Sequence, residues 1–438
     1  MIINRLFIII VLFFVNVNSK IISESTLNSC QGGTIQIAES IPLGLDISTN
    51  LSTHDAWMDL ITNAQESIDL GFFYFTLLGG SDLDPVYGGQ LGIDIFNAIV
   101  EAHSRGINVR IVQNEPSESF PDTETQTLAK LGIQVRSIDW VSLVGSGVLH
   151  TKLIIIDESS AYVGSANADW SSLAQVKELG IVLKNCPTMV ADTEIAFQQY
   201  WNAADFTSLP INDWGSNYQA LFNNTNMASL SLNNNNNNNN KNKNNDNDGS
   251  GTNQMYEMFL AVSPPQFQST YRTGDIDALM DAINNADQSI CITVMDYTPT
   301  TLYNDPNTYW PLIDNALRAA AFNRNVQVRM LISHWNYTSP IIPQWLHSLN
   351  QVDNIQVRWF VVPDFSTNPQ IPYTRVNHAK FMVTEKQSYV GTSNWSQDYF
   401  TVTGGLSYNV FNNDFTNQLQ SIFNRDWNSP YTQPIQNF

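Results

Sequence analysis

The sequence predicts an α/β fold made of two homologous units, each a sheet flanked by helices. Three observations carry that expectation. A polar tract, "LNNNNNNNNKNKNNDNDGSG" at 232–251, divides the chain near its middle. Segments on either side of it repeat in the same order, which is the signature of an internal duplication. Within each half, helical and strand periodicities alternate, as in layered α/β proteins.

The chain opens with "MIINRLFIIIVLFFVNVNSK", a short n-region with Arg5, an apolar stretch from Leu6 to Val15, and Val17-x-Ser19 as a small-residue cleavage site. This pattern predicts a signal peptide over 1–19, with an uncleaved signal anchor as the alternative. The apolar stretch is shorter than the ~20 residues a bilayer span needs, and no later run is long enough. Entry into the secretory pathway, with secretion or an endolysosomal lumen as destination, is the expected localisation.

The first unit, 20–231, contains Trp57, Leu60, Ile61 and Ala64 at helical spacing, then "SIDLGFFYFT" as a buried strand. Ile95, Phe96, Ile99 and Val100 mark a second helix, and "INVRIV" the next strand after Arg105-Gly106. In the second unit, 252–438, "INNADQSICITVMDYT" echoes "ITNAQESIDLGFFYFT", and "NVQVRMLI" echoes "GINVRIV". "NIQVRWFV" likewise echoes "GIQVRSID". The tract between the units has no apolar surface to bury and reads as a disordered linker.

Composition limits the function classes. The chain has 438 residues, 43% apolar and 11% aromatic, and suits a packed globular protein with a large core. Its formal charge of −20 repels nucleic acid and anionic lipid at neutral pH, which argues against a surface-wide polyanion binder. A local cationic pocket remains compatible with that charge, and an acidic compartment would titrate part of it. Sequons at Asn50, Asn223 and Asn336 are expected glycan acceptors on loops; a fourth, at Asn394, lies inside a motif that chemistry should occupy instead.

That motif occurs twice, as "HTKLIIIDESSAYVGSAN" at 150–167 and "HAKFMVTEKQSYVGTSN" at 378–394. Each copy predicts a hairpin of two apolar strands. Alternate residues of a strand share a face, so His150 projects with Lys152, and His378 with Lys380. An imidazole beside an ammonium suits a phosphate: the lysine supplies positive charge and the histidine can attack or exchange a proton near neutral pH. Asn167 and Asn394 end the paired strands, where an amide could donate to a non-bridging oxygen. A single His-x-Lys before an apolar run is usually a strand end with a solvated lysine, but two copies in matching positions point to catalysis.

The paired H-x-K-x4-(D/E) phrases with downstream G-(S/T)-x-N resemble the two active-site motifs of the phospholipase D superfamily. The resemblance spans nearly all of the chain beyond the leader, roughly 30–230 and 252–432. More narrowly, "GSANADWSSLAQVKELGIVLKNC" and "RVNHAKFMVTEKQSYVGTSNWSQDYF", with "ESIPLGLD" and the closing "RDWNSPY", are similar to the superfamily's endolysosomal branch. Better-known members of that branch resemble 5′ exonucleases acting on single strands.

The resemblance implies two units packed pseudo-twofold around one shared site and a two-step displacement at phosphorus. One histidine forms a phosphohistidine while the other protonates the leaving oxygen, and water then reverses the roles. It assigns His150, Lys152, Asp157 and Asn167 to one half-site, and His378, Lys380, Glu385 and Asn394 to the other, with the lysines holding phosphate oxygens. No cofactor and no obligatory metal are expected. Asp157 and Glu385 follow their histidines by seven residues and should face away from them, bracing the hairpins. Glu178 stands where family members have an acid that orients the catalytic histidine, whereas the second copy has Gly405. That inequality favours His150 as nucleophile and His378 as general acid. The resemblance also implies a Cys30–Cys186 disulfide, leaving Cys291 as a small apolar packer.

Two substrates fit this reading: phosphatidylcholine, cleaved to phosphatidic acid and head group, or single-stranded DNA or RNA attacked from its 5′ end in an acidic lumen. A glycosylated binding protein without turnover is the alternative from another class. The other histidines, His54, His103, His334 and His347, are expected on the surface or in helix packing, and the aromatic clusters "GFFYF", 169–170 and 426–427 in the core. The oligomeric state is open.

Overall fold

A computed structural model of the chain describes residues 30–210, 214–233, 254–303, 307–365 and 370–437. The expected signal peptide and residues 234–251 of the expected linker lie outside these.

The first unit supplies seven main strands: β1 (Gly33–Ser40), β2 (Ser67–Phe72), β3 (Asn108–Asn114), β4 (Gln134–Ile138), β5 (Lys152–Ile156), β6 (Ser160–Gly164) and β7 (Glu178–Lys184). They pair in the order β4-β3-β2-β5-β6-β7-β1, with β2, β3 and β4 parallel and the other pairings antiparallel. A connecting strand, β8 (Ala228–Asn233), pairs with β1 and with the first strand of the second unit. It carries Leu232, predicted as linker, into the core, because an apolar residue at that register is worth burying.

The second unit repeats the pattern with β9 (Gln254–Ser263), β10 (Ser289–Val294), β11 (Gln327–Ser333), β12 (Ile355–Phe360), β13 (Phe381–Thr384), β14 (Ser388–Gly391) and β15 (Gly405–Phe411). Its order, β12-β11-β10-β13-β14-β15-β9, matches the first unit strand for strand. The duplication seen in the sequence is therefore a duplication of sheet topology. Central strands such as β5 and β6 are buried along their whole length, which is why they read as continuous apolar runs and not as alternating ones.

Among the described residues, three large apolar cores follow from this layering. Helices Thr53–Thr62 and Gly89–Ser104 cover the outer face of the first sheet through Trp57, Leu60, Ile95 and Ile99. Helices Asp275–Asn285 and Leu312–Arg324 do the same for the second through Leu279, Ile283, Leu317 and Ala320. The third core is shared. Helices Pro187–Ala203 and Asn413–Trp427 pack Phe197, Tyr200, Phe415 and Phe423 into one cluster with inward residues of both sheets. The halves thus bury apolar surface against each other, which fixes their relative placement.

The predicted strand "SIDLGFFYFT" is two pieces. β2 ends at Phe72, and Phe75–Thr76 pairs separately with Ala168–Asp169. The chain leaves the sheet at Phe73 and Tyr74, at the carboxyl end of parallel strands, where α/β sheets open a crevice. Cys30 and Cys186 form a disulfide that ties the start of the first unit to the entrance of helix Pro187–Ala203. Cys291 is buried, its Sγ accepting from Arg329 Nη2 at 3.2 Å.

Candidate active site

Both motifs fold as the expected hairpins, β5–β6 and β13–β14. The first turns through Asp157 and Glu158, both in the left-handed region. The Asp157 carboxylate accepts backbone N–H groups of Gln65, Glu66 and Ser67 at 2.7–2.9 Å, and so pins the hairpin to the start of β2. Glu385 does the same for β10, accepting from Asp287 and Ser289. Neither carboxylate lines the cavity described next; each braces its hairpin through backbone N–H groups.

Two crossing straps bring the motifs together. The segment before β7 runs beside the segment before β13: Arg375 N donates to Gln175 O, Lys177 N to Val376 O, and His378 N to Lys177 O. By the pseudo-twofold relation, Gly404 N donates to Val148 O and His150 N to Gly404 O. Each histidine is therefore held by the backbone of the opposite unit. Their rings face each other with centroids 6.5 Å apart at 74°, in a cavity of about 1030 Å³ lined by both halves.

The two half-sites differ where it matters for protons. His378 Nδ1 lies 2.9 Å from both carboxylate oxygens of Glu178. His150 Nδ1 lies 3.1 Å from the carbonyl oxygen of Thr392, which as an acceptor fixes Nδ1 as the protonated nitrogen. Glu178 thus serves the histidine of the other unit, which corrects the expectation that its presence marked the first copy. At the equivalent position Gly405 has no room for a side chain. A Cβ there would stand 2.4 Å from Ser393 Oγ and 3.0 Å from Ser263 Oγ and Thr392 Oγ1.

Burial pushes His378 down to about 4, against the pull of Glu178, and Lys380 lowers it further. Burial, together with Lys152, Lys380 and His378, holds His150 well below the usual histidine range. Burial alone would raise the Glu178 carboxyl; His378 and Lys380 bring it below its ordinary value. Of the pair, His378 is the one with a carboxylate to stabilise an imidazolium.

Lys152 and Lys380 are fully buried behind the histidines. Each Nζ donates to the carbonyl oxygen of its own motif histidine, at 2.6 and 2.5 Å, and neither side chain lines the cavity. Burial pushes Lys380 down to about 7, opposed by Glu178 and Asp296. Burial and Lys380 hold Lys152 well below the lysine range. Asn167 lines the cavity with Oδ1 unpartnered. Asn394 is buried, donating from Nδ2 to Asp296 and Tyr399 at 3.3 Å, so this sequon is sealed inside the protein. Asn50 and Asn336 are exposed and Asn223 is half-buried.

The walls hold residues the sequence reading placed in the core. Phe73 and Tyr74 of "GFFYF", with Phe120, form a ring cluster beside His150: Tyr74 stacks on Phe120 at 4.6 Å, and Phe73 lies 5.8 Å from the His150 ring. The Tyr399 ring meets that of His150 edge-on at 5.1 Å. Tyr337 and Tyr373 stack at 4.5 Å on the rim, 50% and 66% exposed. Asp169 accepts from Tyr74 Oη, and burial pushes its carboxyl up to about 6, as it does for Asp296. Trp170 lines the cavity too, whereas Asp426 and Trp427 are core as expected.

The repeat itself carried the missing signal: aligned across the duplication, Phe73 matches Met295 and Tyr74 matches Asp296, and all four line the cavity. Among the described residues, no lysine or arginine lines it, and none of the other four histidines does. Among those residues, no group of three or more His, Cys, Asp or Glu side chains could hold a metal ion.

The chain is similar to several known proteins. A family model described as "PLD3/4, PLD-like domain" matches residues 46–364. Phospholipase D Z of Dictyostelium discoideum is 65% identical over 98% of this chain and 99% of its own length. The human 5'-3' exonuclease PLD3 is 38% identical over 91% of this chain and 80% of its own. Among solved structures, the phosphatidylserine synthase of Haemophilus influenzae superposes with a TM-score of 0.53 at 9% identity. It covers 87% of this chain and 85% of its own, a likeness of fold alone.

Proposed function

The chain belongs to the PLD3/4 family of phospholipase D-like proteins and is a phospholipase D-type phosphodiesterase; from that premise we propose that it works through a covalent phosphohistidine on His150. The observation that carries the proposal is the facing pair itself, two imidazoles from homologous hairpins of which only one is backed by a carboxylate. His150, with Nδ1–H given to the Thr392 carbonyl, offers the Nε2 lone pair to phosphorus. The Nε2–P bond forms as the P–O bond to the leaving group breaks, and His378 gives that oxygen its proton, Glu178 stabilising the imidazolium. His378 then takes a proton from water, whose oxygen attacks phosphorus and releases His150. A phosphodiester anion between the rings favours the protonated form of His378. Lys152 and Lys380 contribute positive charge from behind, and Asn167 and Asn394 supply amides at the strand ends.

The substrate we propose is a zwitterionic phospholipid, phosphatidylcholine in the first instance. The cavity wall is aromatic, with Asp296 and Asp398 and, among the described residues, without a lining lysine or arginine, which suits a quaternary ammonium better than a run of phosphates. A second reading, exonucleolytic cleavage of single-stranded DNA or RNA, is favoured by the stacked Tyr74–Phe120 rings, since every base has a face to stack. The lumen of the secretory pathway is the proposed compartment, supported by the Cys30–Cys186 disulfide, with Asn50, Asn223 and Asn336 as glycan acceptors. Parallel assays on phosphatidylcholine vesicles and on 5′-hydroxyl single-stranded DNA, from acidic to neutral pH, test the substrate. Release of choline that disappears in His150→Ala supports the lipid reading; nucleotide release with no choline release refutes it. Absence of turnover on either overturns the phosphohistidine relay.

A further inference from the structure

We propose that Lys177 is a positioning residue, part of a buried four-charge cluster that holds Glu178 against His378; the proposal rests on the relay described above. Lys177 Nζ lies 2.8 Å from Asp426 Oδ2 and 3.4 Å from Glu39 Oε1, and all three side chains are buried. Arg425 closes the cluster, with Nη2 2.6 Å from Glu39 Oε1 and 2.8 Å from Asp426 Oδ1. Two cations meet two carboxylates, so the cluster is neutral as a whole.

Its members come from three places: Glu39 from β1, Lys177 from the residue preceding β7, and Arg425 and Asp426 from the last turns of helix Asn413–Trp427. Neighbouring residues of an extended chain point to opposite sides, so anchoring Lys177 on the closed side turns Glu178 toward the cavity. The pseudo-symmetric strap shows what the ammonium is not needed for. There Gly404 occupies the place of Lys177, and its carbonyl accepts from His150 N as the Lys177 carbonyl accepts from His378 N. A strap forms without any side chain at that position. The strap with a buried lysine is the one followed by a glutamate that must meet a histidine.

The test uses the full chain and a soluble probe, bis(p-nitrophenyl) phosphate. Removing Lys177 alone strands two buried carboxylates, so the first variant is the charge-balanced pair Lys177→Met with Asp426→Asn. We expect kcat to fall roughly 10-fold, as when an outer partner of an active group is lost, with KM within about twofold. The alkaline limb of the pH profile should move to lower pH, because His378 loses the proton more easily when Glu178 drifts. A structural role alone would lower activity with the unfolded fraction and leave the pH profile in place. A folded double variant with parental kcat and profile overturns the proposal. Should that protein not fold, Asp426→Asn alone, nearly isosteric, must show the same acidward shift, and a parental profile in it refutes the role equally. Glu178→Gln separates the levels. If it matches the parent, the carboxylate–histidine pairing falls and this proposal with it; if it loses activity while the Lys177 variants do not, the positioning role alone falls.

Discussion

Glu178 and His378 lie 200 residues apart in the chain, in different units, and meet with both carboxylate oxygens 2.9 Å from Nδ1. The contact exists only because the strap before β7 crosses to the opposite hairpin. It makes one half-site unlike the other. Glu178→Gln should lower kcat at least ~100-fold, within the range a positioned acid–base group contributes. The sign of the pH effect follows from the charge removed. Glu178 raises the affinity of His378 for its proton, so without it the proton leaves at lower pH and the alkaline limb of kcat/KM shifts acidward. Unchanged pH dependence in that variant would show that His378 does not act as the acid.

Acidic operation is expected of the parent as well. Burial pushes His378 down to about 4 and holds His150 well below the usual histidine range, and of the two only His378 has a carboxylate against its ring, so acid conditions favour the form with His378 protonated and His150 neutral. A kcat/KM profile on a soluble phosphodiester should therefore climb as pH falls from neutral toward 5. A profile that rises with pH across that interval contradicts the assignment.

The two histidines should separate by leaving group. His150→Ala removes the nucleophile and should abolish turnover on every phosphodiester. His378→Ala removes only the proposed acid, and the p-nitrophenolate of bis(p-nitrophenyl) phosphate leaves without a proton, so one equivalent should be released in a burst with the remaining p-nitrophenyl phosphoryl group trapped on His150. Acid-labile label on His150 in that variant, read by peptide mapping, checks the expectation. Label found in His150→Ala instead reverses the roles.

Much of this site could be read from the chain because its determinants are local. Continuous apolar runs and 3.6-residue periods marked the strands and helices, and the His-x-Lys spacing put each lysine next to its histidine, although its Nζ meets that histidine's carbonyl oxygen and not the cavity. The bracing of Asp157 and Glu385 followed from counting residues along a strand. What could not be read is what depends on how two units dock. Glu178 stands eleven residues after Asn167 and reads as a partner for its own half; only the pseudo-twofold crossing delivers it to His378. Phe73 and Tyr74 look like core because they continue an apolar run. They reach the cavity because β2 stops at Phe72, and no local pattern marks that residue as the last of its strand.

Gly405 makes the asymmetry structural as well as chemical. A Cβ at this position meets Ser393 Oγ at 2.4 Å and Ser263 Oγ and Thr392 Oγ1 at 3.0 Å, so Gly405→Ala must displace these hydroxyls. Overpacking of a close-packed site costs about 1–3 kcal/mol. Denaturant unfolding should show a lower midpoint with an unchanged slope. Stability equal to the parent would mean that Ser393 and Thr392 yield freely, and that the missing carboxylate beside His150 is not enforced by space.

Stability should carry its own pH signature through Asp275. This side chain is fully buried, with Oδ1 accepting from Tyr389 Oη at 3.0 Å and Ser407 Oγ at 2.6 Å. Burial pushes its carboxyl up from 3.8 to about 6. A folded-state value above the unfolded one means that the native protein binds this proton more tightly. The contribution is complete below the unfolded value and is lost as pH rises through about 6. Asp275→Asn carries a neutral amide at every pH and so loses nothing over that interval. Relative to the parent, the variant should gain up to about 3 kcal/mol on going from pH 4 to pH 7.5. Urea unfolding of both proteins at the two pH values measures the difference directly. A difference independent of pH would mean that Asp275 is ionised in the folded protein throughout, with the Tyr389 and Ser407 hydroxyls sufficient to hold its charge.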